Sequence, residues 1–80
     1  MLTLNRTLVL KTLIKHETLT YSDIAKEENI GMIPNKDHLQ LILDELHESG
    51  HIHLMDGVVP QTYTITDKGI KEGTRLSKEV

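Results

Sequence analysis

Cysteine, phenylalanine and tryptophan are absent from the 80-residue sequence, and tyrosine occurs only twice. The absence of cysteine excludes disulfide bonds and thiolate metal ligands. With so few aromatic residues, Leu, Ile and Val must supply most of the core of what we expect to be one small domain over residues 1–80.

Long apolar segments are also lacking. No run approaches the ~18 consecutive apolar residues that are needed to span a bilayer. The N-terminal segment LTLNRTLVL has neither the basic region nor the small-residue cleavage site of a signal peptide. We therefore expect a soluble, cytoplasmic protein without membrane contact.

The sequence has no excess of positive charge. Twelve acidic residues against nine basic ones give a net charge of −3, whereas a small nucleic-acid-binding protein usually carries a clear positive excess. Because net charge bears on association rather than on fold, this balance counts against DNA binding without excluding a local basic patch.

Catalytic motifs are missing too. There is no cysteine nucleophile, no glycine-rich phosphate-binding loop and no serine in an elbow motif. The acidic pairs Glu27-Glu28 and Asp44-Glu45 are adjacent in sequence, so the two members of each pair do not face one another on a helix. We predict no catalytic residues, no cofactor and no enzymatic activity.

Five histidines raise the question of a metal site. His47, His51 and His53 are closely spaced, and imidazole nitrogens are common zinc ligands. No cysteine or clearly placed carboxylate completes a ligand set, so the sequence favours surface histidines over a bound metal. Such histidines would give some pH sensitivity near their unperturbed pKa of ~6.5.

The clearest structural signal is the segment of residues 35–50, NKDHLQLILDELHESG, which predicts an amphipathic helix. Asn35 is a favourable N-cap, and Asp37 complements the positive end of the helix dipole. Gly50 is a suitable residue for the C-terminal end. Spacing of i, i+3, i+4 and i+7 places four branched side chains on one core-facing stripe: Leu39, Ile42, Leu43 and Leu46.

An earlier helix is predicted over residues 3–15. Its core-facing stripe consists of Val9, Leu10, Leu13 and Ile14. A second apolar edge at the N-terminus is left open between two interpretations, a wide buried face and a homodimer contact; its residues are Leu2, Leu4 and Leu8.

Between these helices, residues 19–21 form a short β-prone segment. Ser22 is predicted to cap a second helix over SDIAKEEN, which ends near Gly31. Ile24 and Ala25 are expected to face inward, with Ile30 packing just beyond the helix end.

After Gly50 the apolar period changes to two, which indicates strands. Ile52 and Leu54 point one way, and His51 and His53 the other. A loop over residues 55–61 leads to a returning strand over residues 62–66. On that strand Tyr63 and Ile65 share one face, and Thr62, Thr64 and Thr66 share the other.

A short final helix follows, capped by Thr66 or Asp67. Its expected apolar contacts are Ile70 and Leu76. Gly69 and Gly73 lie within it and are expected to weaken it.

The order of these elements resembles that of winged helix-turn-helix proteins. SDIAKEENI is similar to the first helix of that motif, and LDELHESGHI to the end of the recognition helix. YTITDKG resembles the segment that closes the wing in MarR-like and PadR-like transcriptional regulators. The resemblance implies an α+β fold: a winged helix-turn-helix with a three-helix core, a small antiparallel β-hairpin wing and a short C-terminal helix.

The same resemblance implies binding to double-stranded DNA and a role in transcriptional regulation. The helix over residues 35–49 would enter the major groove, where Gln40 would bond an adenine edge and Leu41 would meet a thymine methyl group. The remaining contacts would be to the DNA backbone. The candidate DNA-binding residues are Tyr21, Ser22, Lys26, Asn35, Lys36, Gln40, Leu41, Gln61 and Thr62.

An alternative comes from the charge of that helix. Asp37, Asp44 and Glu48 lie on the side that would approach the DNA, so binding should be weak and salt-sensitive. Leu41 lies among these carboxylates and would fit an apolar groove with a basic rim. On this interpretation the domain binds a basic protein partner rather than DNA; a third interpretation is a solvated acidic face without function.

Overall fold

The structure, a computed structural model, describes residues 3–55, 57 and 59–78. Over these residues the chain is α+β, with five helices and a three-stranded antiparallel sheet. In chain order the elements are α1 (Arg6–His16), β1 (Thr18–Thr20), α2 (Tyr21–Ile24), α3 (Glu27–Ile30), α4 (Lys36–Glu48), β2 (Ile52–Leu54), β3 (Thr62–Ile65) and α5 (Asp67–Lys78). None of these helices is both long and apolar enough to cross a membrane.

Helix α4 has the ends and the buried stripe that its sequence predicts. The Asn35 Oδ1 atom accepts a hydrogen bond from the His38 backbone N–H at 3.0 Å. Gly50, two residues beyond the helix, has φ of +83°, a left-handed conformation that glycine adopts without strain. All four predicted stripe residues are buried: Leu39, Ile42, Leu43 and Leu46.

The predicted second helix is wrong in two respects, and the first is its N-cap. The cap is Thr20 and not Ser22, because the Thr20 Oγ1 atom accepts the Asp23 backbone N–H at 3.2 Å. Ser22 lies inside α2 with its side chain exposed.

The second difference is a break at Lys26, which has extended backbone angles and separates α2 from α3. In a continuous helix Ile24 and Ile30 would lie ~120° apart around the axis, since each residue turns the helix by ~100°. The break lets both isoleucines enter the core, while Glu27 and Glu28 stay exposed. Burial of two large side chains therefore outweighs the local preference for one helix.

Strand β3 lies in the centre of the sheet, whose order is β1-β3-β2. The predicted antiparallel pairing of β2 with β3 is present, and β1 pairs with the other edge of β3. Tyr63 lies opposite Leu19 on β1 and Leu54 on β2. Its side chain is buried among the leucines and isoleucines of the core.

The N-terminal apolar edge is mostly internal. Helix α1 begins at Arg6 and not at residue 3, with Asn5 as its N-cap. Leu4 is buried in the core and Leu8 is partly buried against it. For these two residues the structure therefore supports the wide buried face and not an exposed dimer contact, while Leu2 lies outside the described residues.

Helix α5 extends over 12 residues and is longer than the short helix predicted. The Thr66 Oγ1 atom accepts the Gly69 backbone N–H at 3.1 Å, which confirms Thr66 as its capping residue. Leu76 packs against the core as expected. Ile70 does not, since 41% of its surface remains exposed.

The glycines of α5 explain why Ile70 points outward. A Cβ atom added at Gly69 would lie 2.0 Å from the His51 carbonyl oxygen, and one at Gly73 would lie 2.5 Å from Ile14 Cδ1. The inner face of α5 is therefore the face that carries the glycines, which lets its backbone approach α1 and the start of β2 closely. Ile70 falls beside this face and not on it.

Candidate nucleic-acid interface

Tyr21 joins three of the segments that carry the candidate DNA contacts. Its hydroxyl group donates a hydrogen bond to the Lys36 carbonyl oxygen at 3.0 Å, at the first residue of α4. Its backbone N–H donates to the Gln61 carbonyl oxygen at 3.1 Å, just before β3. The start of α2, the start of α4 and the end of the hairpin loop are thus fixed to one residue.

The Tyr21 hydroxyl group also stays protonated, as this role requires. Partial burial raises the pKa of the Tyr21 phenol above its ordinary value of 10.0, and the nearby Tyr63 and Asp37 raise it further. Because the hydroxyl proton is already donated to Lys36, Tyr21 positions α4 and has only its oxygen lone pair left for another contact.

The first turn of α4 is open to solvent. Asn35, Lys36 and His38 are all exposed. The Asn35 side-chain carbonyl caps the helix, so its amide group is what remains for a phosphate contact. Lys36 forms no ion pair with any residue that the structure describes, so its ammonium group is free to meet an anion.

The helical pattern implied that Gln40 points outward, but its side chain is only partly exposed. Its Nε2 atom donates to Asp44 Oδ1 at 2.8 Å and lies 3.4 Å from the Tyr63 hydroxyl oxygen. Bidentate binding to an adenine edge needs the donor and the acceptor of the amide together. Gln40 must therefore leave Asp44 before it can read a base.

Thr62 does not serve as a backbone contact through its side chain. Only 8% of its surface is exposed, and its Oγ1 atom donates to the Pro60 carbonyl oxygen at 3.0 Å. With its side chain buried and its hydroxyl group bonded to Pro60, Thr62 lacks the exposure that the predicted contact would need. Gln61, one residue earlier, is exposed.

Lys26 is exposed but not free. Its Nζ atom lies 3.1 Å from Asp23 Oδ1. The shared hydrogen bond lowers the pKa of Asp23 and raises that of Lys26. An anion would have to compete with Asp23 for this ammonium group.

The outward face of α4 is an acidic stripe interrupted by one leucine. Asp37, Leu41, Asp44 and Glu48 follow at i, i+4, i+7 and i+11, and all four are exposed. Leu41 keeps 55% of its surface accessible. This confirms the predicted exposure of Leu41 and gives the helix a negative outer surface.

Charge is divided unevenly between the two ends and the middle of the chain. Residues 18–66 contain two basic and eight acidic residues, a net charge of −6. Residues 1–17 and 67–80 together contain seven basic and four acidic residues, a net charge of +3. The positive charge therefore belongs largely to α1 and α5 and not to the face around α4.

His51 is buried, contrary to the expectation of a surface histidine. It precedes β2 and lies beneath α5, with 5% of its surface exposed. Its Nδ1 atom lies 2.5 Å from Ser49 Oγ, and its Nε2 atom lies 3.6 Å from Glu72 Oε2. His53 is exposed and lies within β2, whereas His51 precedes the strand, so the predicted strand face with both histidines is not formed.

Burial lowers the pKa of the His51 imidazole, and the positive charges of Lys68 and Arg6 lower it further, against the opposing effect of Glu72. The unfolded chain, with a histidine pKa of about 6.5, therefore binds more protons than the folded chain below that pH. The contribution of His51 to the free energy of unfolding should be fully present above about pH 6.5, and it should be lost as the pH is lowered towards the pKa of His51 in the folded chain.

We expect the urea midpoint to decrease between pH 7.5 and pH 5.5, with a smaller decrease in His51→Gln. The matched control, His53→Gln, should keep the wild-type slope. Circular dichroism during urea unfolding measures each midpoint. If the urea midpoint of His51→Gln fell with pH as much as that of wild type, this role of His51 would be contradicted. The carboxyl groups of Asp23 and Glu72 do not interfere in this pH range, because their pKa values are lowered.

Two exposed residues near α4 escaped the sequence analysis. His38 extends from the first turn of α4, where its imidazole can donate or accept a hydrogen bond. Ile33, in the connector before α4, keeps 78% of its surface exposed. The hydrophobicity of Ile33 was visible in the sequence, but its exposure depends on how α3 and α4 are joined.

Among the residues that the structure describes, no group of three or more His, Asp or Glu side chains is placed to hold a metal ion. No protein-family model matches the sequence, and a search of curated proteins returns no significant match. Function therefore has to be argued from the surface itself.

Proposed function

We propose that this chain is a winged-helix domain that binds double-stranded DNA, with α4 in the major groove and the β2–β3 hairpin as the wing, and that it acts as a small cytoplasmic transcriptional regulator. The order α1-β1-α2-α3-α4-β2-β3 and the central position of β3 support this assignment. Fold alone does not set function, so the argument depends on the face around α4.

The observation that carries the proposal is the pair of hydrogen bonds from Tyr21 to Lys36 and Gln61. A major-groove helix needs its first turns exposed and its flanking segments fixed against the backbone on either side. Tyr21 holds the start of α4 beside the start of α2 and the end of the hairpin loop. Helix α4, at 13 residues, is ~20 Å long, long enough to lie in the groove.

Five of the exposed candidates then have a role in this proposal. Lys36 contacts a phosphate through its charge, and the Asn35 amide, Ser22 and Gln61 contact the backbone through neutral hydrogen bonds. Leu41 meets a thymine methyl group. With Lys36 as the one described cation at the start of α4, few counterions are released on binding, so the affinity should be low even at low salt and its dependence on salt concentration should be shallow.

The test is a backbone amide NMR titration of the full chain with a short duplex of arbitrary sequence, at low and then at moderate salt. Nonspecific binding with a Kd of ~10⁻⁴ to 10⁻⁶ M is measurable this way. We expect salt-sensitive shifts in residues 35–41 and at Gln61. Lys36→Ala should weaken binding to every sequence and reduce the salt slope by about one.

Two outcomes would count against DNA binding at α4. One is the absence of shifts at low salt, and the other is a Lys36→Ala variant with unchanged affinity. Lys26→Ala is the matched control, since the ammonium group of Lys26 is already paired with Asp23 and its loss should matter less.

A second function is favoured by one observation, the exposed Leu41 among Asp37, Asp44 and Glu48. An exposed leucine ringed by carboxylates matches an apolar groove with a basic rim on another protein. Under this alternative the duplex causes no shifts at low salt, while a basic amphipathic peptide shifts Leu41 and its neighbours. The two titrations together separate the two functions.

A further inference from the structure

The cleft between α5 and the turn before β2 is independent of the face around α4. His51, Lys68, Lys71, Glu72 and Arg75 line it, and its volume is about 220 Å³, the space of roughly seven water molecules. We call it the α5 cleft. We propose that the α5 cleft binds a phosphate group, whether of a free phosphate ion or of a nucleic-acid backbone.

The α5 cleft is lined mainly by positive charge. Lys68, Lys71 and Arg75 follow at i, i+3 and i+7, so α5 presents all three to the same side. Among the described residues, Glu72 is the one carboxylate that lines the cleft. The lining therefore has a net charge of +2 while His51 is neutral, in a chain whose overall charge is −3.

Two of the cleft's cationic groups, those of Lys68 and Lys71, have donors that the chain itself does not use. Lys71 is exposed and forms no ion pair with the residues that the structure describes. The Lys68 Nζ atom donates to the Ser49 carbonyl oxygen at 2.6 Å. An ammonium group has three donors, so Lys68 is held at the rim of the cleft with donors to spare.

His51 lies at the base of the α5 cleft. Lys68 and, from α1, Arg6 both oppose the protonation of its imidazole, in addition to burial. Two cationic side chains therefore lie close enough to act on this imidazole, and Glu72 acts against them. The imidazole Nε2 atom faces the cleft side, 3.6 Å from Glu72 Oε2, and can donate to an oxyanion once it carries a proton.

The Glu72 carboxylate would compete with a bound phosphate group for the Arg75 guanidinium group. This carboxylate accepts hydrogen bonds from the Arg75 guanidinium group, and this contact lowers the pKa of Glu72. A phosphate group presents more oxygens and more charge than this carboxylate and can share the Arg75 fork while reaching Lys71. The sign of one substitution follows from this arrangement, because removal of the Glu72 charge should strengthen binding.

The experiment is an NMR titration of the full chain with sodium phosphate, against sodium chloride at equal ionic strength and pH. We expect saturable shifts at His51, Lys68, Lys71 and Glu72, with a Kd in the millimolar range, about −4 kcal/mol. Glu72→Gln should tighten binding several-fold and Lys71→Gln should weaken it several-fold. Lys26→Gln, with the same loss of charge on another element, should leave the phosphate affinity unchanged.

A second measurement uses sulfate, which does not titrate near neutral pH. By linkage, an anion that binds beside the imidazole must raise the pKa of His51, and NMR titration of the ring with and without sulfate measures this change. A structural role of the cleft alone would leave that pKa the same in both salts.

A short duplex is the other arm of the test. Shifts of the cleft residues with free phosphate assign the site to a small anion, and shifts with duplex alone assign it to a phosphodiester backbone. The proposal is overturned if phosphate and chloride cause the same changes in chemical shift and the duplex causes no change at the cleft residues. Because the cleft residues lie outside residues 35–41 and Gln61, failure here is distinguishable from failure of DNA binding by α4.

Discussion

Gly69→Ala is expected to reduce the free energy of unfolding by about 3 kcal/mol or more, the largest effect of any single substitution considered for this protein. The added Cβ atom would lie 2.0 Å from the His51 carbonyl oxygen and 2.7 Å from Ile65 Cδ1. A backbone oxygen cannot rotate away, so α5 must move off the sheet. Urea unfolding followed by circular dichroism measures this decrease in the free energy of unfolding. A variant that is already unfolded without urea would represent the largest possible decrease.

Two further substitutions on α5 make this prediction specific. At Gly73 the added Cβ atom meets the flexible end of Ile14 at 2.5 Å and Leu10 Cβ at 3.2 Å. Gly73→Ala should therefore cost less than Gly69→Ala, since Ile14 can turn aside and alanine favours the helix. Thr74→Ala, at an exposed position of α5, should be within about 0.5 kcal/mol of wild type. Equal stability of Gly69→Ala and Thr74→Ala would show that α5 does not pack through its glycine face.

The double variant Asp37→Asn/Asp44→Asn should bind a short duplex roughly three- to tenfold more tightly than wild type at low salt. Both carboxylates lie on the outward stripe of α4, where they would face the phosphates across the groove. Removing their charges lowers the repulsion, and the neutral Oδ1 atom of an asparagine at position 44 also holds the Gln40 amide less strongly than the carboxylate does. Fluorescence anisotropy of a labelled duplex measures the affinity at two salt concentrations.

The control for this variant is Glu27→Gln/Glu28→Gln, which changes the net charge equally on α3. Both residues are exposed, so folding should not be affected. If DNA meets α4, the α4 variant should gain affinity and the α3 variant should gain less. An equal gain in both would indicate a general charge effect, and no gain in either would favour the protein-binding alternative, in which Asp37 and Asp44 contribute to the contact with a basic partner.

Local signals in the sequence were sufficient where they agreed with tertiary packing. The Asn35 cap, the Leu39–Leu46 stripe and the glycine after α4 all act within a few residues of chain, and α4 formed between the predicted limits. The same is true of Thr66 at the start of α5. Such features depend on hydrogen bonds and side-chain spacing that a short segment determines by itself.

The sequence-based predictions were wrong where the conformation or exposure of one element depends on its packing against another. Nothing local in SDIAKEEN signals a break at Lys26; the break appears because Ile24 and Ile30 have to reach the same core. The strand and helix periods predicted that Thr62 and Gln40 lie on the surface. In the structure Thr62 belongs to the central strand β3, and the Gln40 side chain lies beside the Tyr63 hydroxyl group of the sheet. The exposed members of the candidate site are Ser22, Lys26, Asn35, Lys36, Leu41 and Gln61.

The sequence by itself determined the kinds of elements, their order and the apolar stripes, because these follow from periodicity, capping and turn residues within each segment. Only the tertiary structure decided that Gly69 and Gly73 are packing residues, that His51 is buried and that Tyr21 joins three segments. Each of these depends on a contact between residues 15 or more positions apart. A helical or strand period specifies which side chains share a face, but only the packing of the other elements specifies what that face meets.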